Sequence, residues 1–348
     1  MRDTAPIRPG EQLDLARLQR YLSGKIDGAE QGIELEQFPG GHSNLTYLLR
    51  TGGREYVLRR PPLGPVPPKA HDMAREFRVL DRVAPLFPPA PAVYLLCEDP
   101  GVAGATFYLM ERRRGVILRR EFPADWRGQA NPEKIAHAFL DTLAQLHAVD
   151  IERHDLAALG RPEGFLERQV RGWSRRWEGS RTTELPVMDR LSAWLTTNLP
   201  VSPPATLVHN DYKLDNVMLD EADPGRVTAV LDWEMSSVGD PLVDLGIVLC
   251  YWPQAGDSAW RRNAISPLTT EPGWPSRADL LARYHRKTGR DLANIAYYEV
   301  FGIFKLAVVL QQIYYRFHVG QTRDERFRDF DKRVAGLAEA ARQVMESA

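Results

Sequence analysis

The stretch that decides the fold lies past the middle of the chain, where residues 207–216 read LVHNDYKLDN. A second stretch, VLDWE, follows at 230–234. Asn216 comes five positions after Asp211, and Asp232 closes an apolar run. Transfer of a phosphoryl group needs a carboxylate that orients the attacking hydroxyl and accepts its proton. It also needs oxygen ligands that hold Mg²⁺ across the phosphates. The two stretches together supply both kinds of group.

The spacing of Asp211 and Asn216 matches a kinase catalytic loop, in which the aspartate is the base and the asparagine binds metal. Short apolar segments at 217–219 and 227–231, with an Asp-Pro-Gly turn signal between them, predict a hairpin that brings Asn216 close to Asp232. The alternative is that these polar residues are turn and capping groups, which Asp and Asn favour. The hairpin and the second aspartate favour catalysis, so we predict Asp211 as the base, with Asn216 and Asp232 as metal ligands.

Four motifs in chain order carry a family resemblance. They are LAQLHAVD at 143–150, HNDYKLDN at 209–216, LDWE at 231–234 and GDPLVDLG at 239–246. On these motifs the chain resembles the aminoglycoside phosphotransferase and choline kinase superfamily, whose members are relatives of protein kinases. It looks most like the phosphotransferase domain found fused to acyl-CoA dehydrogenases. The resemblance covers roughly residues 30–320 and implies an ATP- and Mg²⁺-dependent kinase that phosphorylates a hydroxyl of a small molecule.

The order of strand-like and helix-like patterns predicts an α+β fold, the bilobal protein-kinase-like fold. Residues 1–29 are expected to form a helical leader, 30–111 a small β-rich N-lobe that binds nucleotide, and 112–348 a larger helical C-lobe. Strands are expected at 33–38, 45–50, 56–59, 93–96 and 106–110, with one helix at 74–83. Further helices are expected at 132–147, 164–177, 187–197, 242–251, 276–288 and 297–317.

A loop in the small lobe is a candidate for the phosphates of ATP. Residues 38–44 read FPGGHSN and join two predicted strands. Glycines let backbone amides approach an anion closely, so Gly40, Gly41, Ser43 and Asn44 are predicted to cover the phosphates. A Gly-Gly hairpin turn is the alternative interpretation.

Kinases also use a strand lysine paired with a helix glutamate. Here Arg59 ends the strand YVLR, and Glu76 lies in the following helix. Arginine stays charged and binds phosphate or carboxylate with two hydrogen bonds, so it is chemically suited to this role. It departs from the lysine of protein kinases, although the resembling family often has arginine there. Arg60 remains a rival for the position.

Two further sets of residues are predicted to contribute to the site. Met110 and Glu111 end a strand that resembles the one leading into the interlobe hinge, where backbone groups would bind adenine. A plain strand end is the alternative. Lys213 lies two positions after Asp211, where its side chain would reach the transferred phosphate. A solvent-facing loop lysine is the alternative.

Four more polar residues are expected to have structural roles. His147, at the end of a helix, is expected to pack or cap. Asp240 precedes Pro241 and has the pattern of a helix N-cap with proline at the first position. Asp244 is expected to stabilise the neighbouring loops. His209 is expected to support the catalytic loop by packing and hydrogen bonding.

The acceptor is the least specified part of the prediction. Residues 168–181 carry five arginines and one acid, interleaved with Trp173 and Trp177. In the resembling family such helices tend to line the acceptor site, and arginines suit an anion, such as a hydroxyacyl thioester with phosphates. A solvated basic helix face is the alternative. Rival functions are an aminoglycoside or choline-type kinase with a cationic acceptor, and a catalytically silent nucleotide-binding module. The presence of all three predicted base and metal residues argues against the silent module.

The composition narrows the classes of protein that remain. The chain has 348 residues, 43% hydrophobic and 26% charged, which excludes disordered, collagen-like and coiled-coil proteins. Its net charge of -1 gives no signal for nucleic acid or an anionic membrane as partner. The only cysteines, Cys97 and Cys250, are expected to be buried thiols. The start lacks a signal-peptide pattern and no apolar run is long enough to span a bilayer, so we expect a cytoplasmic protein. Nothing in the sequence specifies an oligomeric state.

Overall fold

The structure, a computed structural model, describes most of the chain. The described residues are 3–39, 44–62, 71–128, 130–264 and 266–348. Gly40, Gly41 and Ser43, which the sequence predicts to cover the phosphates of ATP, lie outside the described residues. Their role therefore stays a prediction. Asn44, predicted with them, is described.

Two compact units make up the chain. The first comprises Met1–Gly115 together with Thr228–Ser236. The second comprises Val116–Val227 together with Ser237–Ala348. The segment that contains Asp232 therefore belongs to the first unit, although it follows the catalytic loop in sequence.

The first unit is built on a five-stranded antiparallel sheet with the strand order β1-β2-β3-β5-β4. Its strands are β1 (Glu34–Gln37), β2 (Leu45–Thr51), β3 (Arg54–Arg60), β4 (Val93–Cys97) and β5 (Phe107–Glu111). Its helices are α1 (Leu15–Leu22), α2 (Met73–Val83) and the short α3 (Pro100–Ala103). All five predicted strands and the predicted helix between them are confirmed.

Alternation along β3 separates the hydrophobic core from the face that carries Arg59. Tyr56 and Leu58 belong to a buried cluster that also contains Leu18 and Leu22 of α1. Because successive side chains of a strand point to opposite faces, Arg59 lies on the other face of the sheet. The N-terminal helix thus packs against one face of the sheet, and the other face carries the arginine.

The second unit is mainly helical. Its helices are α4 (Pro132–His147), α5 (Phe165–Ser180), α6 (Pro186–Thr197), α7 (Pro241–Cys250), α8 (Ala259–Ala264), α9 (Arg277–Thr288), α10 (Ile295–His318) and α11 (Phe330–Ser347). Its short strands are β6 (Val116–Ile117), β7 (Thr206–Val208), β8 (Val217–Leu219) and β10 (Ser237–Gly239). Strand β9 (Val227–Val230) begins in this unit and continues into the first. β6 pairs with β8 and β7 pairs with β10, both antiparallel.

Two glycines allow the buried helices α7 and α10 to approach each other closely. A Cβ atom at Gly246 of α7 would lie 2.2 Å from the carbonyl oxygen of Tyr298 in α10. A Cβ atom at Gly302 of α10 would lie 2.5 Å from the carbonyl oxygen of Gly246. Neither position therefore has room for a side chain. These two helices form the centre of the second unit's core.

The α+β prediction is confirmed, and so are the six helices predicted after residue 132. The sequence analysis did not predict the helices α3, α8 and α11 or the strands β6, β7 and β10. β7 and β10 have three residues each, too few to show an alternating pattern. α11 packs against α10 through an alanine-rich face that gives a weak hydrophobic signal. Cys97 and Cys250 are buried and form no disulfide, as expected. Across the described part of the chain, no helix combines the length and apolar character that a bilayer crossing requires.

Candidate active site

The predicted catalytic loop leaves the end of β7 with its backbone held by one buried carboxylate. Asp244, in the first turn of α7, accepts hydrogen bonds from the N–H groups of His209 at 2.7 Å and Asn210 at 2.6 Å. Asn210 has φ of 63°, a left-handed conformation that asparagine tolerates better than most residues. The contact fixes the loop immediately before Asp211.

Asp244 is itself supported from α4 and α9. His147 Nε2 lies 3.1 Å from the Asp244 carboxylate, and His147 Nδ1 lies 2.7 Å from the Tyr284 hydroxyl. Burial acts to raise the pKa of Asp244, but the hydrogen bond and charge of His147 and the contacts with His209 bring it below its ordinary value. The structural roles expected for His147 and Asp244 are confirmed. Asp240 also caps α7 as expected, since it accepts the N–H of Leu242.

The side chains of Asp211, Lys213 and Asn216 form one hydrogen-bonded group. Lys213 Nζ lies 2.9 and 2.7 Å from the two carboxylate oxygens of Asp211. Asn216 Nδ2 donates to the main-chain carbonyl and to one carboxylate oxygen of Asp211, both at 2.9 Å. The Asp211 N–H in turn donates to His209 Nδ1 at 3.3 Å, which confirms that histidine's supporting role. We call Asp211, Lys213 and Asn216 the Asp211 cluster.

The Asp211 cluster remains accessible while being held in place. The side chains of Asp211 and Lys213 are 21% and 18% exposed. Lys213 Nζ also lies 5.0 Å from the centre of the Tyr251 ring. Lys213 is therefore not a solvent-facing loop lysine, and its ammonium group lies beside the predicted base.

One buried cation near this loop was missed by the sequence analysis. Lys305, in the middle of α10, donates from Nζ to the carbonyl oxygen of Asn210 at 2.5 Å. Burial lowers the pKa of Lys305 to about 8, although the carboxylates of Asp211 and Asp244 oppose that shift. The sequence showed only a lysine that interrupts an apolar run. It gave no sign of which main-chain atom that lysine would reach.

In the first unit, Arg59 lies between two carboxylates. Its Nε is 3.1 Å from Glu76 of α2, and its Nη2 is 2.5 Å from Asp232. Arg60 instead donates to the carbonyl oxygen of Ala103 at 2.5 Å and is buried. Of the two rival arginines, Arg59 is thus the one paired with the helix glutamate. We call Arg59, Glu76 and Asp232 the Arg59 cluster.

The Arg59 cluster has one cation and two carboxylates. Burial raises the pKa of Glu76 to about 7, Arg59 acts to lower it, and Asp232 and Glu234 raise it further. Burial alone would lower the pKa of Arg59, but Glu76 and Asp232 raise it well above its ordinary value. Asp232 has φ of 68°, a backbone conformation that is rare outside glycine and concentrates at functional sites. When Glu76 is ionised, the cluster has one carboxylate more than it has cations, and that excess favours binding of another cation.

The segment that carries Asp232 is fixed to α2 and to the residue before β2 by contacts that the sequence did not reveal. Arg75 donates to the carbonyl oxygens of Glu234, at 2.7 Å, and Ser236. Asn44 Nδ2 donates to the Glu234 carboxylate at 3.0 Å. Asn44 is thus placed at the edge of the Arg59 cluster's segment, and its predicted contact with phosphate stays a prediction.

The predicted adenine-binding residues lie at the end of β5. Met110 is buried opposite Val57, and Glu111 lies opposite Tyr56 in the register with β3. The Glu111 N–H donates to the carbonyl oxygen of Ala92 at 2.8 Å. The strand end is therefore well ordered by its neighbours, and a role for its main chain in binding adenine stays a prediction.

The donor atoms of the two predicted metal ligands suit magnesium. Mg²⁺ prefers oxygen ligands and is commonly held by one or two carboxylates together with substrate phosphates. Asp232 offers a carboxylate in a cluster with excess negative charge. Asn216 uses its Nδ2 toward Asp211, and its amide oxygen accepts no hydrogen bond from the described residues. The two residues belong to different units, and their joint role stays a prediction.

Comparison with known proteins identifies the family. A model of the phosphotransferase enzyme family matches residues 34–280. A Ralstonia eutropha protein, classed provisionally as an aminoglycoside phosphotransferase, is 31% identical over 97% of this chain and 99% of its own, with a TM-score of 0.79. Choline kinase from Cryptosporidium parvum shares the fold, with a TM-score of 0.65 at 12% identity over 96% of this chain and 97% of its own. An aminoglycoside phosphotransferase solved with AMP-PNP and hygromycin B also shares it, with a TM-score of 0.57 at 18% identity over 95% of this chain and 99% of its own.

Curated relatives agree with this match over nearly the whole chain. Acyl-CoA dehydrogenase family member 11 of Rattus norvegicus is 34% identical over 99% of this chain, which corresponds to 44% of that protein. Member 10 of Mus musculus is 32% identical over 97% of this chain and 32% of its own length. The chain thus spans less than half the length of these relatives. The family model and the most similar of these solved structures both match the greater part of the chain. The chain therefore belongs to the phosphotransferase enzyme family.

Proposed function

We propose that the protein is an ATP- and Mg²⁺-dependent kinase that transfers the γ-phosphate to a hydroxyl group of a small molecule. The observation that carries this proposal is the Asp211 cluster. A partly exposed carboxylate is held by a lysine and an amide on a loop whose backbone is fixed. Phosphoryl transfer relies mainly on such positioning and on charge stabilisation.

In the proposed reaction, Asp211 accepts the hydrogen bond of the acceptor hydroxyl and takes its proton as the oxygen forms a bond to the γ-phosphorus of ATP. The bond from that phosphorus to the β–γ bridging oxygen breaks, and ADP leaves. Lys213, which contacts the same carboxylate, places its positive charge next to the phosphoryl group during transfer. Arg59, held by Glu76, binds the phosphates of the nucleotide. Asn216 and Asp232 would hold Mg²⁺, which would neutralise charge on the phosphate oxygens. A similarly folded phosphotransferase solved with AMP-PNP supports ATP as the donor.

The charge distribution on α5 supports an anionic acceptor. Arg171 is paired with Glu167, Arg181 is paired with Asp189, and Arg168 donates to main-chain carbonyls. The two other arginines of α5, Arg175 and Arg176, form no ion pair with an acidic side chain of the described residues.

One of these two arginines is packed against an aromatic ring. The Arg176 guanidinium lies 4.6 Å from the centre of the Trp173 ring. Burial, followed by the charge of Arg175, lowers the pKa of Arg176. The adjacent pair is therefore a concentration of positive charge without a carboxylate. Together with relatives named acyl-CoA dehydrogenases, it supports a hydroxyacyl-CoA-like acceptor, whose phosphates are anionic.

The rival acceptors are cations. Aminoglycosides and choline are the substrates named for other members of the same fold. A screen of ATP turnover against hydroxyacyl-CoAs, aminoglycosides and choline separates the two classes, with Asp211→Asn as the inactive control. Turnover with hydroxyacyl-CoAs alone is the expected result. Turnover only with a cation would reject the anionic acceptor, and ATP binding without any turnover would favour the silent nucleotide-binding module.

A further inference from the structure

The buried ammonium group of Lys305 has no function in the phosphoryl transfer described so far. Its side chain is among the few charged groups that the second unit's core encloses, with 7% of the residue exposed. Burying a charged group is unfavourable unless specific contacts compensate. Its hydrogen-bond acceptor is the Asn210 carbonyl oxygen, and the Trp173 ring lies 5.4 Å away. No carboxylate forms an ion pair with it within the described part of the chain.

The carbonyl that Lys305 contacts lies directly before Asp211 in the chain. The carbonyl of Asn210 belongs to the peptide group that joins Asn210 to Asp211. The preceding peptide is held by Asp244, which accepts the Asn210 N–H at 2.6 Å. The backbone before the predicted base is thus bound by an anion on one side and a cation on the other. Rotation of either peptide would move the Asp211 side chain.

We propose that Lys305 is a positioning residue, whose ammonium group fixes the peptide before Asp211 and so directs the Asp211 carboxylate toward the acceptor hydroxyl. This inference rests on the proposed function. A hydrogen bond from a charged donor is roughly twice as strong as one between neutral groups, so the charge contributes to holding the loop. Lys305 itself does not touch the reacting atoms.

The test compares two near-isosteric substitutions on the same helix. Lys305→Met removes the contact with the catalytic loop. Gln311→Met removes an equally buried donor of α10, which bonds to the carbonyl oxygen of Ser180 at 2.7 Å, away from the loop. Each substitution replaces a buried polar side chain by an apolar one of similar length and leaves one main-chain carbonyl without its donor, so both variants are expected to fold with a similar loss of stability.

For Lys305→Met we expect a kcat loss of about 100-fold with the KM for ATP unchanged, because the base is displaced while nucleotide contacts remain. Gln311→Met should keep the parental kcat. The parental kcat should also fall as pH rises through about 8, where Lys305 loses its proton, and this alkaline limb should be absent from Lys305→Met. Among the ionisable groups whose charges act on the pKa of Lys305 are Asp211, Asp244, Lys213 and Cys250.

The pH assignment depends on how those neighbours titrate. Burial raises the pKa of Cys250 to about 12, so its thiol stays neutral near pH 8. Asp244, with its lowered pKa, stays ionised there. A limb that persists unchanged in Lys305→Met would therefore belong to another group and would contradict the proposal.

Hydrogen exchange provides a readout that does not depend on turnover. Amides of residues 209–213 should exchange faster in Lys305→Met than in the parent or in Gln311→Met. Parental exchange together with parental kcat in Lys305→Met would overturn the inference, and so would an equal kcat loss in Gln311→Met. If the parent phosphorylates no acceptor, the proposed function fails, and the exchange comparison still decides whether Lys305 holds the loop.

Discussion

The Arg59 cluster and the Asp211 cluster differ in their ratio of carboxylates to hydrogen-bond donors. In the first unit, one guanidinium is shared by two carboxylates, and the residue Glu76 is only 1% exposed. In the second, one carboxylate is shared by an ammonium and an amide, and its side chain is 21% exposed. The Arg59 cluster therefore has negative charge in excess and favours a further cation. The Asp211 cluster instead presents a single accessible carboxylate.

The largest effect expected from this difference is on Mg²⁺-dependent ATP binding and turnover. Asp232→Ala removes the exposed carboxylate of the Arg59 cluster, so we expect it to abolish Mg²⁺-dependent ATP binding and turnover. Glu234→Gln, two positions later, is the matched control and should retain both. ATP titrations with and without Mg²⁺ measure the effect. Retention of Mg²⁺-dependent binding by Asp232→Ala would remove Asp232 from the metal site.

The second prediction concerns the base. Asp211→Asn keeps the side chain's shape but removes its charge and basicity, and a general base contributes about 10²–10⁴-fold in rate. We expect a kcat loss of that size and little change in ATP affinity. Asp215→Asn, in the same loop, is the matched control and should lose much less. Parental turnover by Asp211→Asn would show that the Asp211 cluster is not catalytic.

The third prediction uses the raised pKa of Glu76, which lies at about 7 against an ordinary value of 4.5. Between these values the folded state binds more protons than the unfolded state, so stability is present at low pH and is lost as pH rises through about 7. A shift of this size corresponds to at most about 3 kcal/mol of unfolding free energy. Urea denaturation from pH 4.5 to 8 should show the decline in the parent.

Glu76→Gln cannot titrate, so its unfolding free energy should be flatter over the same pH range. Glu111→Gln, at the edge of the same sheet, serves as the control and should keep the parental slope. A parental slope in Glu76→Gln would mean that the pH dependence of stability comes from a group other than Glu76.

The smallest effect separates the two neighbouring arginines. Arg60→Met leaves the buried carbonyl of Ala103 without its donor, which corresponds to about 1–3 kcal/mol of unfolding free energy. We expect Arg60→Met to lower stability and keep the KM for ATP, whereas Arg59→Met should raise that KM. Thermal unfolding and initial rates measure the pair. A raised KM for ATP in Arg60→Met would contradict the assignment of nucleotide binding to Arg59 alone.

The sequence predicted best those contacts that lie within one motif. Asp211, Lys213 and Asn216 fall within six consecutive residues, so their spacing alone brought them together. Arg59 and Glu76 followed from a strand and the next helix, although the choice between Arg59 and Arg60 required the structure.

Contacts between distant residues had no comparable signal. Lys305 reaches Asn210 across 95 positions, and Arg75 reaches Ser236 across 161. In both contacts the acceptor is a main-chain carbonyl oxygen. Every residue has this group, so no sequence pattern marks which one is used. The left-handed backbone conformation of Asp232 could not be predicted either, because the residue type aspartate does not determine its φ angle.

The close approach of Gly246 and Gly302 has a consequence for engineering. Replacing a helical glycine by alanine ordinarily stabilises a protein by roughly 0.5–1 kcal/mol, and it is a common first step toward heat resistance. At these two positions the added methyl group would force α7 and α10 apart. Asp244 lies on α7 and Lys305 on α10, so the spacing of the helices sets the spacing of the two charges that bind the loop. A thermostabilisation library should therefore leave both glycines unchanged, because a variant that survives heating with a wider helix pair would have a displaced Asp211 carboxylate.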